Sequence, residues 1–238
     1  MGVGVRVNKT DRKNKVLNIS ESVTSVIQNT KLEVAHFFSS PIYLIERLDF
    51  LEIVSKVSEE HLEKQRKKHR IGEIYPVYMS ENYHQDTRLD EFCGFIGGTA
   101  WNILNEQGYA MSDRALVFTE MWTQEHYKMS GMEQHIHGYG SQIVGFYFLE
   151  TPENCSRVLF HDPRAGKVQI DLPEQDENFA TQASKIVNFV PKPGLMVFAN
   201  SWLAHSFTRH TADKPIKFVH FNLTVQAALP PPPPAEVV

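Results

Sequence analysis

Three histidines carry the chemistry this sequence could perform. His135 and His137 stand two apart in Gln134-His135-Ile136-His137-Gly138, and His205 closes the distant Trp202-Leu203-Ala204-His205. In an extended segment side chains alternate with period 2, so His135 and His137 project from one face. Two imidazoles on one face can grip one metal ion. A third, at the end of the strand-like run from Gly194 to His205, would complete a facial set and leave coordination positions open for chemistry. The chain has 11 histidines, so a lone His-x-His is a weak signal, and ordinary surface or turn histidines are the competing reading. His161, His210 and His220 are rival ligands. His220 alternates with Phe218 and Asn222 on one strand face, which turns it towards any pocket there.

The elements that must hold these residues fall into two parts. An apolar stripe of Leu48, Leu51, Val54, Val57 and Leu62 predicts a helix over Arg47 to Lys68. A second helix begins near Thr87, with Asp86 or Thr87 as cap, and buries Leu89, Phe92, Cys93, Ile96, Ala100, Ile103 and Leu104 before stopping at Gly108. Gly94, Gly97 and Gly98 weaken it and suggest a close approach to a sheet. From Ala115 onward short strands alternate with Pro, Gly and Asn turns: Leu116–Gln124, Ser141–Leu149, Arg157–His161, Lys167–Leu172, Ile186–Val190, Leu195–Phe198 and Ile216–Val225. This is the pattern of a closed or double-sheet antiparallel β structure with helices over one face. The aromatic residues Trp122 and Trp202 sit beside the histidine motifs, and Trp202 is read as core.

At 238 residues the chain suits a single domain over 34–228. Its helical part would be 34–114 and its β core 115–226. Residues 1–33 read as a weakly ordered arm, and 229–238, with five consecutive prolines, as an extended tail. Hydrophobic content of 42% and charged content of 22% are ordinary for a soluble globular protein. A net charge of −4 argues against nucleic acid as a partner, and the basic run Lys64–Arg70 reads as a solvated helix end. Cys93 and Cys155 form no disulfide framework, and no apolar run is long enough to span a membrane. A cytoplasmic location is the expectation.

Several motifs in order carry a resemblance: Glu120-Met-Trp122, His135-x-His137, Gly145-Phe-Tyr-Phe, His161-Asp-Pro-Arg164, Pro193-Gly194, Trp202-Leu-Ala-His205 and Phe221-Asn222. Together they resemble the 2-oxoglutarate/Fe(II)-dependent oxygenase family, of the prolyl-4-hydroxylase-like type, over about residues 37 to 226. The resemblance implies a mainly β (α+β) double-stranded β-helix, or jelly roll. It also implies Fe(II), 2-oxoglutarate as co-substrate, dioxygen, and hydroxylation of a small-molecule or peptide substrate, with a homodimer as one permitted assembly. Similar sequences have Asp or Glu where this chain has His137. Three readings stay open: a three-histidine site of His135, His137 and His205; a site in which Asp162 supplies the carboxylate; or a weak or absent metal site. For the distal carboxylate of 2-oxoglutarate the resemblance points to a cation after the last histidine. Lys217 is the nearest match, Arg164 and the weaker Arg209 are rivals, and the Tyr147 hydroxyl is an additional contact. Two other classes compete. One is a cupin-type three-histidine enzyme without 2-oxoglutarate, against which Gln142 counts; the other is a non-catalytic β-sandwich binding protein.

Overall fold

The computed structural model describes residues 36–138, 140–170 and 172–228. The expected N-terminal arm and proline tail lie outside these. Strand β1 (Ile42–Glu46) leads into α1 (Leu51–Lys68), then β2 (Val77–Met79) and α2 (Asp90–Glu106). The β part follows: β3 (Arg114–His126), β4 (Met132–His135), β5 (Ser141–Glu150), β6 (Val158–His161), β7 (Ile186–Asn188), β8 (Leu195–Asn200), β9 (His205–Phe207) and β10 (Ile216–Ala227). They form a six-stranded sheet, β1-β8-β5-β10-β3-β2, and a four-stranded sheet, β4-β9-β6-β7, with every recorded pairing antiparallel. This is the expected jelly roll with helices on its outer sheet.

The large sheet is buried on both faces, and alternation sorts its residues. Val219, Phe221 and Leu223 of β10, with Ile143, Tyr147 and Leu149 of β5, pack under Val54 and Val57 of α1 and Phe92, Ile96 and Ala100 of α2. Their neighbours one residue along, Ile216, Phe218, Val144, Phe146 and Phe148, face the small sheet and meet Val158, Phe160 and Phe207. Two buried faces explain why these strands read as nearly continuous apolar runs. At 25 cal/mol per Å², burying each large side chain contributes roughly 1.5–3 kcal/mol, so both layers stabilise the frame that holds the site.

Both helices begin through a short 3-10 turn, at Leu48–Phe50 and Thr87–Leu89. Asp86 caps the second, its carboxylate accepting from the Arg88 N–H at 3.1 Å. Four expectations need correction. A Cβ at Gly94, Gly97 or Gly98 would meet nothing within 4 Å, so these glycines do not mark close approach to the sheet. The first half of the expected strand Lys167–Leu172 belongs instead to a 3-10 helix, Ala165–Gln169. There Lys167 leaves any ladder to bond the carbonyls of Gln182 and Ser184 at 2.6 and 2.8 Å. The run from Gly194 to His205 is not one strand: it turns at Ser201–Leu203, so His205 joins the opposite sheet from β8. Trp202, in that turn, is 45% exposed rather than core.

Gly145 leaves room for the ring of its cross-strand partner Phe221. A Cβ there would lie 2.2 Å from the Phe221 ring and 2.6 Å from the Val197 carbonyl. The carbonyl cannot swing away without breaking the sheet. Gly145→Ala should therefore destabilise the fold by about 1–3 kcal/mol, read as a lower denaturation midpoint at unchanged m-value. His126 supplies a pH signature. Burial lowers its pKa from 6.5 to about 3, with the neighbouring His210 adding to the effect. Between those values the unfolded chain binds a proton that the folded chain refuses, so this group's contribution to stability falls as pH drops from about 6.5 towards 3. His126→Phe should flatten the slope of stability against pH in that window, as measured by denaturant unfolding from pH 7 to 4.

Candidate metal centre

The three predicted histidines meet where the two sheets come together at the β4 end. His135, the last residue of β4, is the cross-strand partner of His205 on β9. His137 lies just beyond β4, held by its backbone N–H donating to the Ser201 carbonyl at 2.9 Å. One ring nitrogen from each of the three lies within 4.8 Å of the others. Ring centroids are 4.5 Å apart for His135 and His205, 5.0 Å for His135 and His137, and 5.1 Å for His137 and His205. His205 is fully buried, whereas His135 and His137 sit half-buried at the rim.

The hydrogen bonds decide which nitrogen each ring offers. His135 Nδ1 donates to the Glu133 carbonyl at 2.8 Å, and His205 Nδ1 donates to the Leu203 carbonyl at 3.1 Å. Each bond fixes the tautomer and leaves the Nε2 lone pair free. Nε2 of His205 and of His137 is buried without any partner. A buried polar atom in that state is costly, and a metal ion is the partner that suits an imidazole lone pair. Burial lowers the pKa of His137 to about 4 and that of His205 to about 3, so both are neutral and able to ligate near pH 7.

Asn222 lies against His137. Its amide nitrogen lies 3.1 Å from His137 Nδ1 and 2.9 Å from Glu120, while its Oδ1 is buried and unpaired. With the amide turned over, Oδ1 would accept from an Nδ1–H of His137 and leave His137 Nε2 free for a metal, while the amide nitrogen would take the buried position of Oδ1. Glu120 is exposed and can turn to solvent. His220 stands beside the cluster, its ring 4.8 Å from His137, 4.3 Å from Trp122 and 5.2 Å from Phe146. Both its nitrogens are buried without partners, and burial holds its pKa well below the usual imidazole value.

The other predicted residues are elsewhere. Asp162 is outside the cluster, ion-paired to Arg164 at 2.7 Å and Lys167 at 3.1 Å; these bonds, Arg164 first, hold its carboxyl well below the usual range. Arg164 is thereby engaged at the surface. His161 Nε2 is bonded to Ser206 Oγ at 2.8 Å, and the His210 ring to Ser156 N and the Lys214 carbonyl. Arg209 donates to the Met129 carbonyl. Lys217 and Tyr147 are on the helix side of the large sheet, because they alternate with the inward Phe218 and Phe146 and Phe148. Lys217 bonds Glu59 and Glu150 at 3.0 Å each, and Tyr147 donates to the Arg47 carbonyl at 2.6 Å. Neither reaches the histidines. Among the described residues no lysine or arginine is buried.

The sequence alone did not single out Asn222 as the residue whose amide lies against His137. Its signal was present, since Asn222 shares the inward face with His220.

Residues 120–222 match the sequence model of a family described as "Putative 2OG-Fe(II) oxygenase". No curated protein sequence matches the chain significantly. Among solved structures, the chain is similar to AviO1 from Streptomyces viridochromogenes Tue57, with a TM-score of 0.56, 9% identity, and coverage of 80% of this chain and 92% of that one. The α-ketoglutarate-dependent carbocyclase SnoK of nogalamycin biosynthesis gives 0.56 at 14% identity, covering 79% and 82%. A prolyl-4-hydroxylase from Pseudomonas putida gives 0.51 at 8% identity, covering 78% and 93%. At such identities these structures establish the shared double-stranded β-helix.

The site makes a discriminating prediction. His135→Ala should lose bound metal while its thermal midpoint stays close to that of the unsubstituted protein, because a half-buried rim residue contributes little packing. Asp162→Asn should keep a full equivalent of metal. Metal content after gel filtration checks both, and loss in Asp162→Asn would return the carboxylate to the ligand set.

Proposed function

We propose that this chain is a 2-oxoglutarate-dependent dioxygenase of the 2OG-Fe(II) oxygenase family and that His135, His137 and His205 are its iron ligands. The observation that carries the ligand assignment is the convergence of one ring nitrogen from each of the three histidines within 4.8 Å, on rings of which two, His137 and His205, have a buried Nε2 without a partner. Bound Fe(II) with 2-oxoglutarate and dioxygen would supply the oxidising power to hydroxylate an unactivated C–H bond of a small-molecule or peptide substrate.

The chain's own residues prepare that chemistry. The Glu133 and Leu203 carbonyls hold two imidazoles in the ligating tautomer, and the Asn222 amide lies 3.1 Å from Nδ1 of the third. Phe146 and Phe160 pack against the His205 ring at 5.4 and 5.9 Å, backed by Phe207 and Phe218, which are stacked at 4.8 Å. This wall keeps bulk water from the buried side of the centre and lowers the local dielectric, which strengthens interactions with charge there. Access is left to the rim, where His135 and His137 are half-buried and Ile136 is exposed.

The rival readings are weaker. Gln142, at the position where a cupin-type site would place a ligand, has its side-chain oxygen occupied by the Val225 N–H at 2.6 Å. A purely structural sandwich gives no reason for orphaned ring nitrogens at the junction of its sheets. Cys93 and Cys155 are both free thiols, which suits the reducing interior of a cell, and among the described residues no helix is long and apolar enough to cross a membrane.

The Fe(II)-loaded protein, mixed anaerobically with 2-oxoglutarate, should develop a visible metal-to-ligand charge-transfer band, and admission of air should yield succinate. Neither should appear with a chelator present or in His205→Ala. Metal binding without any response to 2-oxoglutarate would favour the cupin-type alternative.

A further inference from the structure

Six buried polar atoms around the histidine cluster have no partner: Nε2 of His137 and His205, Oδ1 of Asn222, both ring nitrogens of His220, and Nε1 of Trp122. A metal accounts for the first two, and the third, on the Asn222 amide, is an acceptor rather than a donor. Three remain, on two rings that pack at a tilt across adjacent strands, since His220 and Trp122 are register partners with centroids 4.3 Å apart. The indole can only donate, and a neutral imidazole must donate from one nitrogen. Two N–H donors are thus buried together, without acceptors, beside the metal ligand His137.

Charge points to what they meet. Three neutral imidazoles leave the full +2 of a ferrous ion uncompensated by protein. The one buried carboxylate among the described residues, Glu125, is committed on the opposite face of the sheet to Arg66, at 2.7 and 2.9 Å. No lysine or arginine is buried among the described residues. A dianionic 2-oxo acid therefore balances the metal without a cation. Adding one would leave the centre positive in a low-dielectric interior. What such an acid needs from the protein here is direction, and neutral N–H groups supply it.

We propose that His220 and Trp122 form a charge-neutral carboxylate site: each donates one N–H to a carboxylate of the 2-oxo acid that the metal centre holds. This rests on the 2-oxoglutarate reading above and takes over the task expected of Lys217, which the fold turns to the other face. It also gives the three-histidine centre a consistent electrostatic design. Among the described residues, the cluster has no carboxylate ligand and no buried lysine or arginine to anchor the acid.

The test separates metal from acid. Protein loaded with Ni(II), which is inert to oxygen chemistry, is titrated calorimetrically with 2-oxoglutarate. Trp122→Phe and His220→Phe keep an aromatic ring and remove the donor, and His220→Gln restores an N–H. Both Phe variants should hold Ni(II) within about threefold of the unsubstituted protein, whereas their Kd for 2-oxoglutarate should rise about tenfold or more, the cost of a lost hydrogen bond to a charged group. His220→Gln should recover part of that loss. If His220→Phe fails to fold, as circular dichroism would report, Trp122→Phe decides the matter alone. Unchanged 2-oxoglutarate affinity in the folded Phe variants overturns the assignment, as does loss of Ni(II) in His220→Phe, which would make His220 a ligand. Unsubstituted protein that holds Ni(II) but takes no 2-oxoglutarate overturns the co-substrate reading itself, and this inference with it.

Discussion

His135 and His205 face each other across β4 and β9, and the rest of the site is arranged around that pairing. Because side chains alternate with period 2, a slip of one residue would send His135 to the outer surface while His205 stayed buried. The register is secured on both flanks. β9 is locked on its other edge to β6, where Phe160 opposes His205 and Val158 opposes Phe207. The turn after β8 adds a second lock, since the Ser201 carbonyl accepts from His137 N–H while Ser201 N–H donates to Gln142 at 3.0 Å. The loop that carries His137 is thereby bound to the turn that leads into His205.

The helices serve this arrangement from a distance. They cover one face of the large sheet, so its inward face can be committed to the phenylalanine wall and the histidines. Charge is kept on the outer layer as well: Arg66, Lys217, Glu59, Glu125 and Glu150 form one network between α1 and the sheet. Ion pairing, chiefly with Arg66, lowers the Glu59 pKa to about 2. The result is a barrel interior whose polar groups are nearly all neutral, in which a divalent ion would be the dominant charge.

The histidine cluster was legible because His-x-His carries its own geometry and because His205 follows a strand-like apolar run, although the turn at Ser201–Leu203 that moves it to the opposite sheet was not. The helices were legible from their stripes, and only their 3-10 entries went unseen. What was not legible depended on which face of a strand points inward. Lys217 has the right place in the chain for a carboxylate anchor, but parity with Phe218 puts it on the helix side, where Glu59 and Glu150 take its ammonium. Tyr147 fails for the same reason. In β10, buried on both faces, apolar residues occupy both parities, so composition alone does not reveal the inward one. Asp162 was plausible by residue type, and only the positions of Arg164 and Lys167 show that its charge is already spent. The short strands β2, β4 and β9, of three or four residues each, carry too little periodicity to register.

The central claim is that three imidazoles and no carboxylate hold the metal. Pulsed electron paramagnetic resonance of the protein loaded with a paramagnetic divalent ion counts coordinated imidazoles through their remote nitrogens. The account predicts couplings from three histidines, with one set lost in each of His135→Ala, His137→Ala and His205→Ala. Couplings from only two, unchanged in His137→Ala, would contradict it.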